Sequence, residues 1–366
     1  MPFFRFLSLF TVLALEAFFA SQDARAQEHH ATLHAHHKAL APAGIMGDHM
    51  HGAGEFMLSY GYMHMDMDGN RDGTNNLSAT TIATTVPNRF FGMAGQPATL
   101  RVVPERMTMD MHMLGAMYAP TDNVTLMLMA RYLEKEMDHT TFAGGAGTTV
   151  LGHFTTRSEG LGDTQATALV RLWDHGTQHL HAHLGLSLPT GSITETATVL
   201  TPMNMRPRMR MPYAMQLGTG TFDFLPGLTY TAAHGPWHWG AQYAGEVRLE
   251  NENDEGYAWG DKHSLALWSG YQWAPWIGTT ARLTGTTQDK IDGIDPNIVA
   301  PIQTADPDNY GGQTLTFSLG TTLTGQSGAL KGHQLAFEAT APVYRHVNGP
   351  QLETDWAVTV GWRHAF

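Results

Sequence analysis

The sequence predicts an all-β fold, a transmembrane antiparallel β-barrel of about twelve strands with short periplasmic turns and long extracellular loops. Three observations predict it. From Phe56 onward apolar residues recur at every second position, the mark of a two-faced sheet. The breaks between segments alternate between tight and long. Trp and Tyr gather near segment ends, as in an interfacial girdle. A water-soluble sandwich also alternates, so the period alone does not decide. The long segments and an inward set that is polar or small, with isolated charges, favour the membrane barrel.

Residues 1–26 read as a secretory signal peptide. Arg5 precedes an apolar run from Phe6 to Ala20, and Ala24-Arg25-Ala26 supplies a small-x-small cleavage site before Gln27. That run is too short to span a bilayer, and no later stretch reaches the roughly 18 consecutive apolar residues of a membrane helix. Residues 27–53 read as a His-rich flexible periplasmic arm, and 54–366 as the barrel. Its segments fall near 54–66, 105–119, 123–138, 159–173, 177–189, 218–233, 237–250, 261–274, 276–289, 312–324, 329–344 and 353–366. In the last, Trp356, Val358, Val360, Trp362 and Phe366 alternate with Asp355, Thr359 and Arg363. Tight connections such as Pro120-Thr121-Asp122, Asp174-His175-Gly176 and His234-Gly235-Pro236 follow even-numbered segments, and mostly long ones follow odd-numbered segments. That asymmetry is expected of an outer-membrane barrel. Closure gives every backbone N–H and C=O a partner in lipid. An even strand count puts both ends in the periplasm, with ten or fourteen strands as alternatives to twelve.

Composition narrows the function. The chain has 366 residues with 39 Gly, 21 His, 21 Met and no Cys. Zero Cys excludes a disulfide scaffold, a thiolate metal site and a Cys nucleophile. The formal net charge of −12 argues against a nucleic-acid partner, since no basic block exists to neutralise phosphates. Loss of the signal peptide removes Arg5, Arg25, Glu16 and Asp23 and leaves that balance unchanged. There is no Gly-x-Ser-x-Gly elbow, no His-Glu-x-x-His helix and no phosphate loop, so no catalytic residue is assigned and the chain is read as a non-enzyme.

Several motifs occur together and in order: Tyr118-Ala119-Pro120-Thr121-Asp122-Asn123-Val124-Thr125-Leu126, Leu161-Gly162-Asp163 opening a strand, Leu184-Gly185-Leu186-Ser187-Leu188-Pro189-Thr190-Gly191 closing one, and Leu217-Gly218-Thr219-Gly220 before an aromatic strand. Over roughly residues 105–366 this set resembles the transporter-like outer-membrane proteins labelled the putative MetA-pathway of phenol degradation family. Phe366 resembles the C-terminal signal read by the outer-membrane assembly machinery. The resemblance implies export through the periplasm to the outer membrane of a Gram-negative bacterium. It also implies contact with lipid and lipopolysaccharide, and passive or facilitated passage of a small, hydrophobic or aromatic solute. The alternatives are a barrel that binds or takes up copper or another soft metal, and a structural barrel without transport. No cofactor is required by this reading.

The candidate site residues form four groups. Arg131, Asp163, Arg171, Asp223, Glu246, Arg248, Arg282, Glu338 and Arg363 fall on inferred inward faces and are candidates to line the lumen. His29, His30, His34, His36, His37, His49 and His51 crowd the arm, with Met46 and Met50, a composition suited to copper or zinc. His179, His181 and His183 share one strand face about 6.5–7 Å apart, so they either converge on an ion or line a wet lumen. Asp68, Asn70 and Asp72 begin a calcium-like loop whose twelfth position is Ala79 rather than Glu, and a plain turn is the alternative. The Arg206, Arg208 and Arg210 loop could meet lipopolysaccharide phosphates or an anionic solute, or simply be solvated.

Methionine is also unevenly placed. Met107, Met109, Met111 and Met113 lie opposite Arg106, Thr108, Asp110 and His112. Charges belong in a lumen, so these methionines are expected to face lipid. Met127 and Met129 share a face with Thr125 and Arg131. The face of Met63, Met65 and Met67 is left open. A thioether-lined path for a soft cation is the alternative.

Overall fold

The computed structural model describes residues 40–366. The expected signal peptide and His29, His30, His34, His36 and His37 lie outside the described residues.

The barrel strands are β1 Phe56–Gly73, β2 Val102–Thr121, β3 Val124–Phe142, β4 Val150–Leu161, β5 Thr164–His175, β6 Gln178–Leu188, β7 Asp223–His234, β8 Trp237–Arg248, β9 Lys262–Ala274, β10 Ile277–Gln288, β11 Gly312–Thr324 and β12 His333–Ala365. Except between β4 and β5, each pairs antiparallel with its sequence neighbour, and β12 pairs with β1, which closes the sheet. β4 and β5 together make one wall position, pairing with the upper and lower parts of β3 respectively. The ring therefore holds eleven strand elements.

Parity shows that they make twelve crossings. Around the ring β1 and β11 run in opposite directions, yet β12 is antiparallel to both. A straight strand cannot satisfy that, so β12 reverses. Gln334–Val347 pairs with β11 and Val347–Ala365 pairs with β1, with Gly349 at φ +67° in the turn between. A left-handed φ there is the conformation that a glycine adopts without strain.

The twelve segments read from sequence are all present, with three differences in extent. β1 runs on through Gly73, because Asn75–Leu77 folds back and pairs with its end. The calcium-like loop is therefore strand. Its Asn70 is 3% exposed, donating to the Pro104 carbonyl and accepting from Gln303, while Asp68 lies opposite Arg106. The fourth segment breaks at Gly162-Asp163 and extends upward as β4. The loop expected over 345–352 is mostly hairpin.

Outward positions carry Leu58, Leu114, Leu126, Leu184, Leu228, Leu267, Leu319 and Phe337, all exposed, with Trp237, Trp239, Trp273 and Trp276 towards the tight-turn end. An apolar band with aromatic ends is the outer surface that hydrocarbon and interface select. The long connections pack together at the opposite end. Phe90, Tyr213, Tyr257, Ile291, Ile298, Ile302 and Tyr310 form a hydrophobic core there. Arg101, fully buried, ties this cap down by donating to the carbonyls of Ala83, Ala143, Gly144, Ala146 and Gly147.

Candidate site in the barrel lumen

Directly opposed residues of an antiparallel pair share a face, so register assigns the lumen. Met57 lies opposite Met117, which lies opposite Met127; Met67, Met107 and Met137 form a second such row. Between them come Met63 with Met111, Met65 with Met109, Met113 beside Arg131, and Met129 beside Gly115. Every methionine of β1, β2 and β3 thus shares one face. That face is inward: Met57, Met107, Met117, Met129 and Met137 are at most 6% exposed, while the alternate Leu114, Tyr118, Leu126 and Leu128 are at least 47% exposed.

This overturns the expectation that Met107, Met109, Met111 and Met113 face lipid. Their opposite neighbours are outward, where Tyr62 donates to Asp110 at 2.5 Å and His64 approaches Asp110 at 2.8 Å. Arg106 pairs with Asp66, and Arg157 with Glu136 at 2.7 Å, on the same outer surface. Charges are tolerated there because long strands rise past the apolar band, so both faces of their upper ends are wet.

The second departure is the arm. Residues 40–53, expected to be flexible, lie inside the barrel. Leu40 sits against Gly270 and Gly278, Gly44 against Arg282 and Glu338, and Ile45 packs on Ala266 and Trp268. The Gln242 amide donates to the Met46 carbonyl at 2.9 Å, and His181 Nε2 to the Gly47 carbonyl at 2.8 Å. Arg363 holds both oxygens of Asp48 at 3.0 and 3.2 Å, and the His51 amide donates to Thr125 at 3.0 Å. These partners come from strands all around the ring, which only a segment within the lumen can reach. Ala53 and Gly54 bond to Asp122 and Ala119 beside a tight turn, so the segment enters and leaves at the tight-turn end.

Two titratable groups of this segment are perturbed. Burial alone would raise the Asp48 carboxyl, but the Arg363 guanidinium and His49 beside it hold it well below the usual carboxylate range. Burial, reinforced by His49, lowers His51 to about 4 despite the bond to Glu55.

The lumen candidates face inward and are mostly paired. Asp223 meets Arg248 at 2.5 Å, Glu246 meets Lys262 at 3.1 Å, Arg282 pairs with Glu338, and Arg171 pairs with Asp174. Asp163 is a clamp: it accepts from the Gly191 and Thr219 amides and fastens the 189–222 loop across the wall. The buried Nε of Arg131 lacks a hydrogen-bond partner, as do those of Arg171 and Arg282. The His179, His181 and His183 convergence is not formed. His181 and His183 stack at 5.1 Å, His183 bonds Thr229, and His179 turns to Asp174. Among the described residues no group of three His, Asp or Glu is placed to hold a metal. His49 and His51 stand edge to face at 4.9 Å within the inserted segment.

A cavity of about 80 Å³ remains between this segment and the wall, lined by Met46, Met57, Met113, Met117, Met127 and Met129 among others. At the other end, Met211 and Met215 of the 189–222 loop pack on Met67, Met107 and Met137. Outside lies an apolar basin of about 360 Å³ bounded by Val102, Phe154, Leu200, Met203, Met209 and Pro301.

No family model and no curated protein matches the chain. Among solved structures it is similar to the COG4313 outer membrane channel from Pseudomonas putida F1, at 14% identity and a TM-score of 0.55, covering 87% of this chain and 98% of that one. It is also similar to a Pseudomonas aeruginosa FadL homologue (8% identity, TM-score 0.44, covering 85% and 90%) and to the P. putida toluene transporter TodX (9%, 0.41, covering 86% and 90%). The first of these likenesses shows the fold: the chain is a closed antiparallel barrel of the outer-membrane type.

Proposed function

We propose that the protein is a non-catalytic outer-membrane barrel of a Gram-negative bacterium that passes a small solute, with residues 40–53 as a plug of its periplasmic mouth. The observation that carries this reading is the lumen itself: twelve crossings close around an interior filled not by wall side chains alone but by a separate segment held through polar contacts. A packed structural barrel needs no such insert. The outward apolar band supports insertion in lipid. The external basin has the size and lining of a small-molecule site. With the family resemblance over 105–366, it supports a hydrophobic or aromatic solute.

Liposome flux of small aromatic solutes tests this, comparing the intact chain with a variant lacking 40–53. Slow flux that accelerates on removal of the plug is the expected result. An impermeable barrel in both forms would leave only the structural reading.

A further inference from the structure

The inward face of β1–β3 is unusual for a wet lumen, because methionine thioethers run its whole length, with oxygen donors such as Ser59 and Thr125 only among them. Met67, Met107 and Met137 form one row, and Met211 and Met215 close over it from the 189–222 loop. At the plug end Met57, Met117 and Met127 form the matching row beside the cavity. The rest of the ladder joins the two rows without a break in face. Thioethers are soft and uncharged, so they select a soft monovalent cation over zinc or calcium, which prefer imidazole or anionic oxygen.

We propose that the two methionine rows are binding sites for a soft monovalent metal cation, Cu(I) or Ag(I), one at each end of the lumen. Convergence marks the ends as the resting positions, since Met211 and Met215 meet the outer row and Met46 and Met129 meet the inner one at the cavity. In the middle of the ladder Arg131 lies opposite Met113 and its fixed charge disfavours an ion there, while the Lys135 ammonium is engaged by the Ala214 and Gln216 carbonyls of the 189–222 loop. At each end methionine faces methionine across the strand pair, Met117 with Met127 and Met107 with Met137. Methionine as a mere hydrophobe would fill the same space, but leucine fills it equally well. Ordinary packing therefore does not require the thioether.

The site is separable from the transport reading, because binding is measured without flux. The full chain in detergent is titrated with Ag(I), and the silver absorption edge reports whether sulfur or nitrogen and oxygen surround the ion. Two variants are compared, Met67→Leu/Met107→Leu/Met137→Leu and Met57→Leu/Met117→Leu/Met127→Leu, changes that nearly conserve volume and fold class. Sulfur coordination in the native chain is expected, with each variant losing the silver held at its own end and keeping the other. Nitrogen and oxygen coordination alone in the native chain would overturn the proposal, and that readout needs no variant to fold. Unchanged silver stoichiometry in both leucine variants would overturn it as well. Binding without liposome flux would leave these sites standing and remove the channel reading; flux without sulfur-bound silver would do the reverse.

Discussion

Asp48→Asn is the sharpest perturbation of the plug. In the native protein the Asp48 carboxylate, 3% exposed, lies 3.0 and 3.2 Å from the Arg363 guanidinium. Asparagine keeps the shape and can still accept one bond, but leaves the guanidinium with Gln334 as its other side-chain acceptor, at 2.5 Å. Breaking a fully buried pair on one side costs about 3–5 kcal/mol, and Arg363 is 23% exposed, so solvent brings the cost below that range, to about 2–3 kcal/mol. At about 1.4 kcal/mol per tenfold, the undocked population rises roughly 30- to 150-fold. The chain has no Cys, so Ala41→Cys, a buried plug position, gives a unique thiol. A bulky maleimide can reach it only from the undocked state. Labelling in the Ala41→Cys background is expected to accelerate by that factor when Asp48→Asn is added, and channel conductance to rise with it. Equal labelling rates with and without Asp48→Asn would refute the assignment of this ion pair as the plug's anchor. The pH sign follows from the lowered carboxyl. Anchoring is complete above its ordinary pKa of 3.8 and is lost only as pH falls below that towards the lowered value.

His51 adds a milder acid response. It is neutral in the docked plug with a pKa of about 4, against 6.5 when free, so docking weakens as pH falls from 6.5 towards 4. Linkage gives about 2 kcal/mol at pH 5. Thiol labelling at Ala41→Cys, divided at each pH by the rate of the same variant unfolded in denaturant so that the loss of thiolate cancels, should therefore accelerate between pH 7.5 and 5, and His51→Gln should flatten that profile; an unaltered profile in His51→Gln removes His51 from the response. Arg101→Lys replaces a planar fork that serves five carbonyls with one ammonium. Orphaned buried carbonyls cost about 1–3 kcal/mol each, so the external cap should open to protease between residues 83 and 101 while the barrel stays folded. Protease resistance equal to the native chain would show that the cap is held elsewhere.

The barrel, and strand phase outside β1 and β2, were legible because both depend on local pattern. Period-two alternation survives in any strand with one face in lipid, and tight turns such as Asp174-His175-Gly176 mark the reversals directly. The inward parity of Glu246, Arg248, Glu338 and Arg363 follows from the same pattern, because in β7 to β12 a charge on the outward face would meet hydrocarbon. The plug was not legible, since residues 40–53 have no period and are fixed by partners far away in the chain, His181, Gln242 and Arg363.

The methionine face was misjudged by a rule used beyond its range. Charges point inward only where the outer surface meets hydrocarbon, and β2 is 20 residues long, about twice what a tilted crossing of the apolar core requires. The decisive signal lay in the same strand. Leu114, Ala116 and Tyr118 share parity with Arg106, Thr108, Asp110 and His112, so the lower, apolar half fixes the lipid side and the charges above simply continue it. The hairpin to β3 says the same, because Met117 opposite Met127 places both with Arg131, whose charge does lie at lumen depth. Phase read from the membrane-depth half of a long strand, and carried upward, therefore outranks the polarity of its upper half. Applied to β1, where Phe56, Leu58 and Tyr60 are the exposed set, it turns Met57, Met63, Met65 and Met67 inward and assembles the ladder from sequence alone.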